Sequence, residues 1–308
     1  MRDPKKIDLY TGEMEKACLI LHEALQLDFF DSLIRAGQDL LDEIDDEGLE
    51  PETVTRLESI YHRLRQETFL NEEVRLSMEL LIVKAFKHQN RYPLSLMTPD
   101  AINYLFAYFV GKLSIPNRVV LDMALGTGNL LTAVTNYLAH PIQLVGIEKD
   151  NKLAALARLN FDLQGNNVEI FVNNCLDPIL VSAQMIIGDL DTGKGTSYFP
   201  YQVVLQALKH LDDQGFFIFM IDNDFFNQPD IQAFREQFTG TMLGIIVLPE
   251  TLFQNNIIGK SILIGCKRHL ATYEMVAMNL PGLNDTEQLN KTIDDLDQWI
   301  KQLKGMII

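Results

Sequence analysis

The chain has 308 residues, enough for one large domain or two smaller domains of about 150 residues each. Of these residues, 47% are hydrophobic and 22% are charged, as in globular proteins. Its 42 acidic and 26 basic residues give a formal net charge of −16, which excludes a protein that holds nucleic acid through its overall charge. The longest apolar runs fall short of the roughly 20 residues that cross a bilayer, and no apolar segment follows the N-terminal MRDPKKIDLY, so we expect no membrane span and a cytoplasmic location.

The three cysteines, Cys18, Cys175 and Cys266, lie far apart and form no CxxC or Cys/His pair. This spacing indicates neither a disulfide framework nor a zinc site. We predict reduced core or boundary residues, as in a cytosolic protein.

Residues 1–90 show helical periodicity and almost no strand pattern. Apolar residues recur at helical spacing, for example at Met14, Cys18 and Leu21, and Pro51 suits the first position of a helix. We predict an all-α N-terminal domain of four helices over residues 1–90, typical of a scaffold or docking module.

Residues 91–308 form the second predicted domain, in which strands and helices alternate. The predicted strands are Arg118–Ala124, Gln143–Glu148, Val168–Asn173, Met185–Leu190, Phe216–Ile221, Met242–Leu248 and Ser261–Lys267. The last two are joined by the loop Pro249–Lys260, which is too short for a parallel crossover. This order predicts an α/β fold with a seven-stranded, mostly parallel sheet and an antiparallel last strand. The tail adds a strand, Tyr273–Met278, and a helix, Thr286–Leu303, whose apolar stripe predicts packing.

A glycine-rich turn follows the first predicted strand, in the segment VVLDMALGTGNLL. The strand ends in Asp122, and Gly126 and Gly128 lead into a helix. Glycine allows a ligand to approach the backbone closely, and a helix N-terminus offers free N–H groups. A dinucleotide site would have a third glycine where Leu131 stands, and Asp122 would repel a pyrophosphate but suit an amino group. A purely structural turn stays open.

A second acid closes the next strand in the segment LVGIEKDN. Glu148 lies 20 residues after Gly128, where a carboxylate can accept hydrogen bonds from both ribose hydroxyls. Asn173 and Asn174 end the third strand at the same sheet edge, where they either contact an adenine ring or form a turn.

These motifs together resemble the class I S-adenosylmethionine-dependent methyltransferases, which have a Rossmann-like sheet, and more closely the N6-adenine-specific DNA methylases. Two further segments support the resemblance: MTPDAI at Met97–Ile102, similar to the family's Thr-Pro motif, and IIVLPETLF at Ile245–Phe253. A helix-capping role for Thr98, with Pro99 as the first helical residue, stays open. The resemblance covers residues 91–268, and small stand-alone bacterial members with a helical N-terminal extension are the nearest match.

The resemblance implies S-adenosylmethionine as the cofactor, with Asp122 and the glycines beside its methionine portion and Glu148 at its ribose. Asn174 stands where the family often has an aspartate near the adenine. The residues predicted to line the cofactor are Thr98, Asp122, Ala124, Gly126, Thr127, Gly128, Glu148, Lys149, Asn174, Cys175 and Asp189. Met123 and Leu125 replace a family proline and cysteine, which the backbone contacts do not require.

The catalytic loop departs further from the family pattern. Where the family has Asn/Asp/Ser-Pro-Pro-aromatic, this chain has DLDT, so that Asp189 keeps the hydrogen-bond acceptor while the prolines and the stacking aromatic are lost. We predict Asp189 and Asp191 as catalytic residues. The loop Gly193–Ser197 is short, and Tyr198 or Phe199 either stacks on the acceptor or packs in the core.

By resemblance, the chain transfers a methyl group to an exocyclic amino nitrogen, with adenine in DNA as the acceptor. It has neither an inserted recognition domain nor a basic stripe interleaved with aromatics, so a partner specificity protein is the expected route to DNA. Three alternatives stay open: a protein that binds cofactor or a partner without turnover, a methyltransferase with an RNA, protein or small-molecule acceptor, and, least favoured, a nicotinamide dehydrogenase. A homo-oligomer is also compatible with the sequence.

Overall fold

The computed structural model describes residues 2–89, 92–93, 96–192, 197–253 and 259–307. The helices are α1 (Pro4–Leu25), α2 (Phe29–Leu41), α3 (Pro51–Gln66), α4 (Asn71–Gln89), α5 (Asp100–Leu113), α6 (Asn129–Tyr137), α7 (Asn151–Asp162), α8 (Phe199–His210), α9 (Ile231–Gln237) and α10 (Thr286–Ile307). The strands are β1 (Val119–Asp122), β2 (Gln143–Glu148), β3 (Val168–Val172), β4 (Ala183–Asp189), β5 (Leu211–Asp222), β6 (Thr241–Val247), β7 (Lys260–Cys266) and β8 (Val276–Asn279).

The N-terminal helices α1 to α4 begin where the sequence provides caps. Asp3 accepts a hydrogen bond from the Lys5 N–H before α1, Asp28 accepts one from the Asp31 N–H before α2, and Pro51 opens α3. The four predicted helices are therefore present. The domain boundary predicted between residues 90 and 91 lies outside the described residues and stays a prediction.

The core of the helical region is shared with the sheet region. Buried side chains of α1 to α4, such as Phe30, pack in one cluster with Leu153, Leu156 and Leu159 of α7. Helix α7 connects β2 to β3. Its outer face is covered by the N-terminal helices rather than by solvent. We name helices α1 to α4 the helical unit.

The sheet has eight strands, in the order β3-β2-β1-β4-β5-β7-β6-β8. The first five are parallel, and β7 runs antiparallel between β5 and β6, as the short connection between the last two predicted strands indicates. The predicted number of seven strands is wrong because the tail strand β8 pairs in parallel with β6 and extends the same sheet. The predicted mixed α/β fold is otherwise confirmed.

Helices cover both faces of this sheet. One face packs against α5, α6, α7 and α10, and the other against α8 and α9. In α10, Leu296, Trp299 and Ile300 are buried, as the apolar stripe predicts, and Trp299 occupies space that a Cβ at Gly244 would fill. Buried on both faces, the central strands are almost continuously apolar.

The strand order reverses beside β1, since β2 lies on one side of β1 and β4 on the other. In open parallel sheets, the loops that leave the carboxyl ends of such strands diverge and form a crevice that binds ligands. Asp122 ends β1, Glu148 ends β2 and Asp189 ends β4. The topology therefore places the three predicted acids around one crevice.

Candidate cofactor and acceptor site

The glycine-rich turn follows β1 and is held to both neighbouring strands. The Met123 N–H donates to the carbonyl of Ile187 in β4, and the Leu125 N–H donates to the carbonyl of Ile147 in β2. The turn then leads through Gly128 into α6. These two hydrogen bonds fix the turn at the carboxyl ends of β2 and β4.

Both glycines of the turn adopt left-handed backbone angles, with φ of 55° at Gly126 and 77° at Gly128. A Cβ at Gly128 would lie 3.0 Å from the ring of Phe161, whereas a Cβ at Gly126 would meet nothing closer than a carbonyl oxygen at 3.9 Å. Gly128 is therefore required by packing and conformation together, while Gly126 leaves open space for a ligand against its backbone.

The two departures from the family's loop are accommodated in the core. Met123 and Leu125 are both buried, and the Leu125 side chain lies where a Cβ at Gly146 would be, 2.6 Å from the nearest Leu125 carbon. Gly146 in β2 thus makes room for the larger residue. The turn keeps its geometry without the family's proline and cysteine.

Asp122 carries an unpaired carboxylate oxygen at the end of β1. Its side chain is completely buried, and its Oδ1 accepts a hydrogen bond from the Ala124 N–H at 2.9 Å, whereas Oδ2 is buried without a partner. The pKa of Asp122 is raised to about 7, chiefly by burial; the hydrogen bond from the Ala124 N–H opposes the rise, and the Asp189 and Glu148 carboxylates add to it. A cationic amino group at Oδ2 would satisfy this oxygen and stabilise the charge.

Glu148 binds the backbone of the turn. Its Oε2 accepts a hydrogen bond from the Gly126 N–H at 2.9 Å, and its Oε1 accepts one from the Asp150 N–H at 2.8 Å. Burial raises the pKa of Glu148, and these two N–H groups oppose the rise. Each carboxylate oxygen has a second acceptor position, so the predicted ribose contact remains compatible with these bonds and stays a prediction.

Thr98 contacts the catalytic loop and does not cap α5 with its side chain. The N-cap of α5 is Pro99 and the first helical residue is Asp100, one residue later than predicted. The Thr98 hydroxyl instead donates to Asp189 Oδ2 at 2.9 Å. The neighbouring Met97 sulfur accepts a weak hydrogen bond from the Thr127 hydroxyl at 3.5 Å. The Thr-Pro segment therefore bridges the glycine turn and the end of β4.

Asp189 lies in a strongly acidic environment. Burial raises its pKa to about 6, Lys260 and the Thr98 hydroxyl lower it, and the Asp191 and Asp222 carboxylates raise it. Lys260 forms an ion pair with Asp222, with 2.8 Å between Nζ and Oδ1. Neither Asp222 nor Lys260 is among the site residues predicted from the sequence. Only the antiparallel register, in which the two residues are paired, brings them beside Asp189.

The rest of the catalytic tetrapeptide is divided between core and solvent. Leu190 is buried, whereas Asp191 is exposed and accepts a hydrogen bond from the Thr192 N–H at 2.8 Å. In the predicted short loop, residues 193–196 lie outside the described residues. Tyr198 packs edge-on against Tyr201, with 4.9 Å between the ring centres, which favours the packing alternative for this residue.

The residues predicted near the adenine lie in the turn that follows β3. The Asn174 side chain accepts a hydrogen bond from the Leu176 N–H at 3.0 Å. Of the two predicted roles, adenine contact or turn formation, this bond favours turn formation. Cys175 is buried beside it, and burial raises its pKa to about 11. Lys149 is exposed at the crevice edge.

All three cysteines are unpaired and buried, as expected. In the part of the chain that the structure describes, no cluster of acidic, histidine or cysteine residues has the geometry of a metal site.

The raised pKa of Asp122 predicts a pH-dependent cofactor affinity. A carboxyl group whose pKa is higher in the folded than in the unfolded state stabilises the fold at low pH, and this contribution is lost as the pH rises through the folded value, here about 7. A cationic ligand binds the ionised form, so its affinity should increase between pH 5.5 and 7.5. Calorimetric titration with S-adenosylmethionine across this range measures the effect. An equal pH dependence in Asp122→Asn would contradict the assignment.

Two family models match overlapping segments of the chain. Residues 8–86 match the model described as YtxK N-terminal helical domain, and residues 81–185 match the model described as N-6 DNA Methylase. The fold, the glycine turn and these matches confirm the resemblance: the chain has the class I methyltransferase fold, with a segment similar to the N-6 DNA methylases after a segment similar to the YtxK helical domain. This fold and this family imply S-adenosylmethionine as the cofactor.

Similar proteins come from several bacteria. The uncharacterized protein YtxK of Bacillus subtilis is 26% identical over 94% of this chain and 96% of its own length. A Listeria monocytogenes protein described as a class I S-adenosylmethionine-dependent methyltransferase has a TM-score of 0.85 and 26% identity, covering 97% of this chain and 100% of that one. The methyltransferase subunit of a type I restriction-modification system from Streptococcus thermophilus shares the fold, with a TM-score of 0.63 and 16% identity over 97% of this chain and 75% of that one. None of the described helices is long and apolar enough to cross a membrane.

Proposed function

We propose that this chain is an S-adenosylmethionine-dependent methyltransferase that methylates an exocyclic amino nitrogen, with adenine in DNA as the acceptor. The observation that carries the proposal is the crevice beside β1, where Asp122 has an orphaned buried oxygen and Asp189 is held by Thr98. One acid suits the cofactor and the other faces the position of an acceptor.

The residues at the crevice fit this cofactor. When bound, S-adenosylmethionine supplies an electrophilic methyl group on a sulfonium centre. Asp122 Oδ2 would accept a hydrogen bond from its amino group, Glu148 would accept from its ribose hydroxyls, and the open backbone at Gly126 would admit its methionine portion. These three contacts would orient the ligand at the end of β1.

Asp189 acts on the acceptor. An ionised carboxylate only accepts hydrogen bonds, so Asp189 accepts one from the acceptor N–H and leaves the nitrogen lone pair directed at the methyl group. The Thr98 hydroxyl restricts the carboxylate to one orientation. The contribution of this chain is therefore positioning and electrostatic stabilisation, without the need for a strong base.

Access to DNA requires positive charge from elsewhere. Asp191 and Asp222 lie near Asp189 at the carboxyl edge of the sheet, and Lys260 is already paired with Asp222. A phosphate backbone is repelled by such an edge. We therefore propose a basic partner specificity protein as the route to DNA.

A methyl-transfer assay tests the proposal. The full chain is incubated with radiolabelled S-adenosylmethionine and, separately, unmethylated genomic DNA, total RNA and a protein extract, each with and without cell extract as a source of the partner. We expect label in DNA, recovered as N6-methyladenine. Label confined to RNA or protein would reassign the acceptor.

A second candidate, a protein that binds the cofactor without turnover, is favoured by one observation. Thr192 is exposed where the family has its stacking aromatic, and Tyr198, the nearest replacement in sequence, packs against Tyr201. Cofactor binding in calorimetry with no label in any acceptor would establish this candidate and overturn the first.

A further inference from the structure

The helical unit inserts one fully buried cation toward the crevice. Arg75 of α4 has 0% exposed surface. Its guanidinium donates to Glu72 through Nε and Nη2, at 2.9 and 2.8 Å, and to Glu79 through Nη1 at 3.1 Å. Both partners are on the same helix, one turn before and one turn after Arg75.

The two remaining contacts of Arg75 reach the first residues of the two helices that border the crevice. Nη2 donates to Asp100 Oδ1 at 2.7 Å, and Nη1 donates to Asn129 Oδ1 at 2.7 Å. Asp100 opens α5, directly after the Thr-Pro motif, and Asn129 opens α6, directly after Gly128. One side chain of the helical unit thus joins both segments that contact the predicted cofactor.

The electrostatics of this cluster require an arginine. Burial disfavours the charge of Arg75, but its hydrogen bonds to Glu72 and the surrounding carboxylates outweigh burial and raise its pKa above the ordinary range. Three carboxylates share this cation, and burial and then Asp100 raise the pKa of Glu79. A planar guanidinium fork satisfies acceptors in four directions, which a lysine ammonium on a flexible stem does not.

We propose that Arg75 is a positioning residue for the cofactor site: through Asn129 and Asp100 it holds the starts of α6 and α5, and thereby the glycine turn and Thr98, in the geometry that binds S-adenosylmethionine. The helical unit then acts as a structural part of the site rather than as a separate docking module. This inference rests on the proposed function.

Two variants interrupt the link from opposite sides. Arg75→Lys keeps the buried positive charge but loses the fork, and Asn129→Ala removes the acceptor on α6 while Arg75 keeps its three carboxylates. Losing one buried charge-assisted hydrogen bond should weaken S-adenosylmethionine binding about tenfold in each variant. Because both remove the Arg75–Asn129 contact, the double variant should be little weaker than Arg75→Lys alone. Wild-type affinity in both folded single variants would overturn the proposal.

Arg65 offers a matched control within the helical unit. Its guanidinium donates to the backbone carbonyls of Leu40 and Asp42 at the end of α2, at 3.0 and 2.6 Å, and its helix α3 packs against α1 and α2. Arg65→Lys should lower the Tm without changing the Kd for S-adenosylmethionine. If it weakens binding as much as Arg75→Lys does, the effect is general destabilisation and the positioning role is wrong.

Hydrogen exchange separates this inference from the proposed function. In the ligand-free protein, Arg75→Lys should increase the exchange rates of the backbone amides from Gly126 to Thr132, whereas Arg65→Lys should leave them unchanged. If the wild type fails to bind S-adenosylmethionine, the proposed function is wrong, but the exchange result still decides the role of Arg75. Unchanged exchange at these amides would overturn it.

Discussion

Replacing Asp189 by alanine should lower the rate of methyl transfer by about 100- to 1,000-fold, the usual loss when one positioned hydrogen-bonding group is removed from a reacting centre. The Thr98 hydroxyl would lose its acceptor, and no other carboxylate is held in the same place. Although Asp189 is also predicted to line the cofactor, S-adenosylmethionine affinity should fall far less than the transfer rate, by a few fold, since Asp122 and Glu148 remain. Single-turnover transfer to the acceptor, measured beside a calorimetric Kd, separates the two effects.

The control for this prediction is Asp213→Ala. The Asp213 side chain is 98% exposed near the start of β5, at the opposite edge of the sheet, so this variant should transfer methyl groups like the wild type.

The pKa of about 6 at Asp189 further predicts that activity falls as the pH drops through 6, because the protonated carboxyl donates a hydrogen bond rather than accepting one. An active Asp189→Ala enzyme would show that another group holds the acceptor amine.

Changes at Asp122 or Glu148 should remove most of the cofactor affinity. Asp122→Ala loses the charged acceptor of the ligand's amino group, which should weaken binding by about 10- to 100-fold. Glu148→Arg should be more severe, because it replaces the carboxylate that holds the Gly126 and Asp150 N–H groups by a cation. Calorimetry with S-adenosylmethionine measures both, with Asp213→Ala again as the control. Unchanged Kd values would place the cofactor elsewhere.

Replacing Asp122 by asparagine should act in opposite directions on cofactor binding and on stability. Because burial raises the pKa of Asp122 to about 7, its charge is unfavourable in the ligand-free fold at higher pH. Asp122→Asn should therefore raise the Tm of the ligand-free protein at pH 8 while weakening cofactor binding. Such opposed effects are typical of functional sites. A lower Tm in this variant would contradict the burial argument.

Much of the site follows from local sequence. The angles at Gly126 and Gly128, the strand that ends in Asp122 and the helix that begins at Asn129 all depend on neighbours within a few residues, so the glycine turn was predictable. Glu148 at the next strand end follows from the same strand–helix alternation. Their roles toward the cofactor remain predictions that the proposed variants test.

Other parts of the site depend on residues distant in the chain. Thr98 was predicted as a possible cap because Thr-Pro before a helix has that local meaning, yet its hydroxyl reaches Asp189, 91 residues away. The tail strand was predicted, but not that it would extend the sheet as an eighth strand. Strand order and side-chain hydrogen bonds across elements are set by packing, which periodicity does not encode.

The sequence by itself determined the alternation of strands and helices, the glycine turn and the order of the acids, because these depend on backbone angles and hydrophobic periodicity over short segments. Only the tertiary structure decided that Lys260 pairs with Asp222 beside Asp189, and that Arg75 of the helical unit joins α5 and α6. The physical reason is that a buried charge takes its partners from whichever elements pack around it, and that packing exists only in the folded chain.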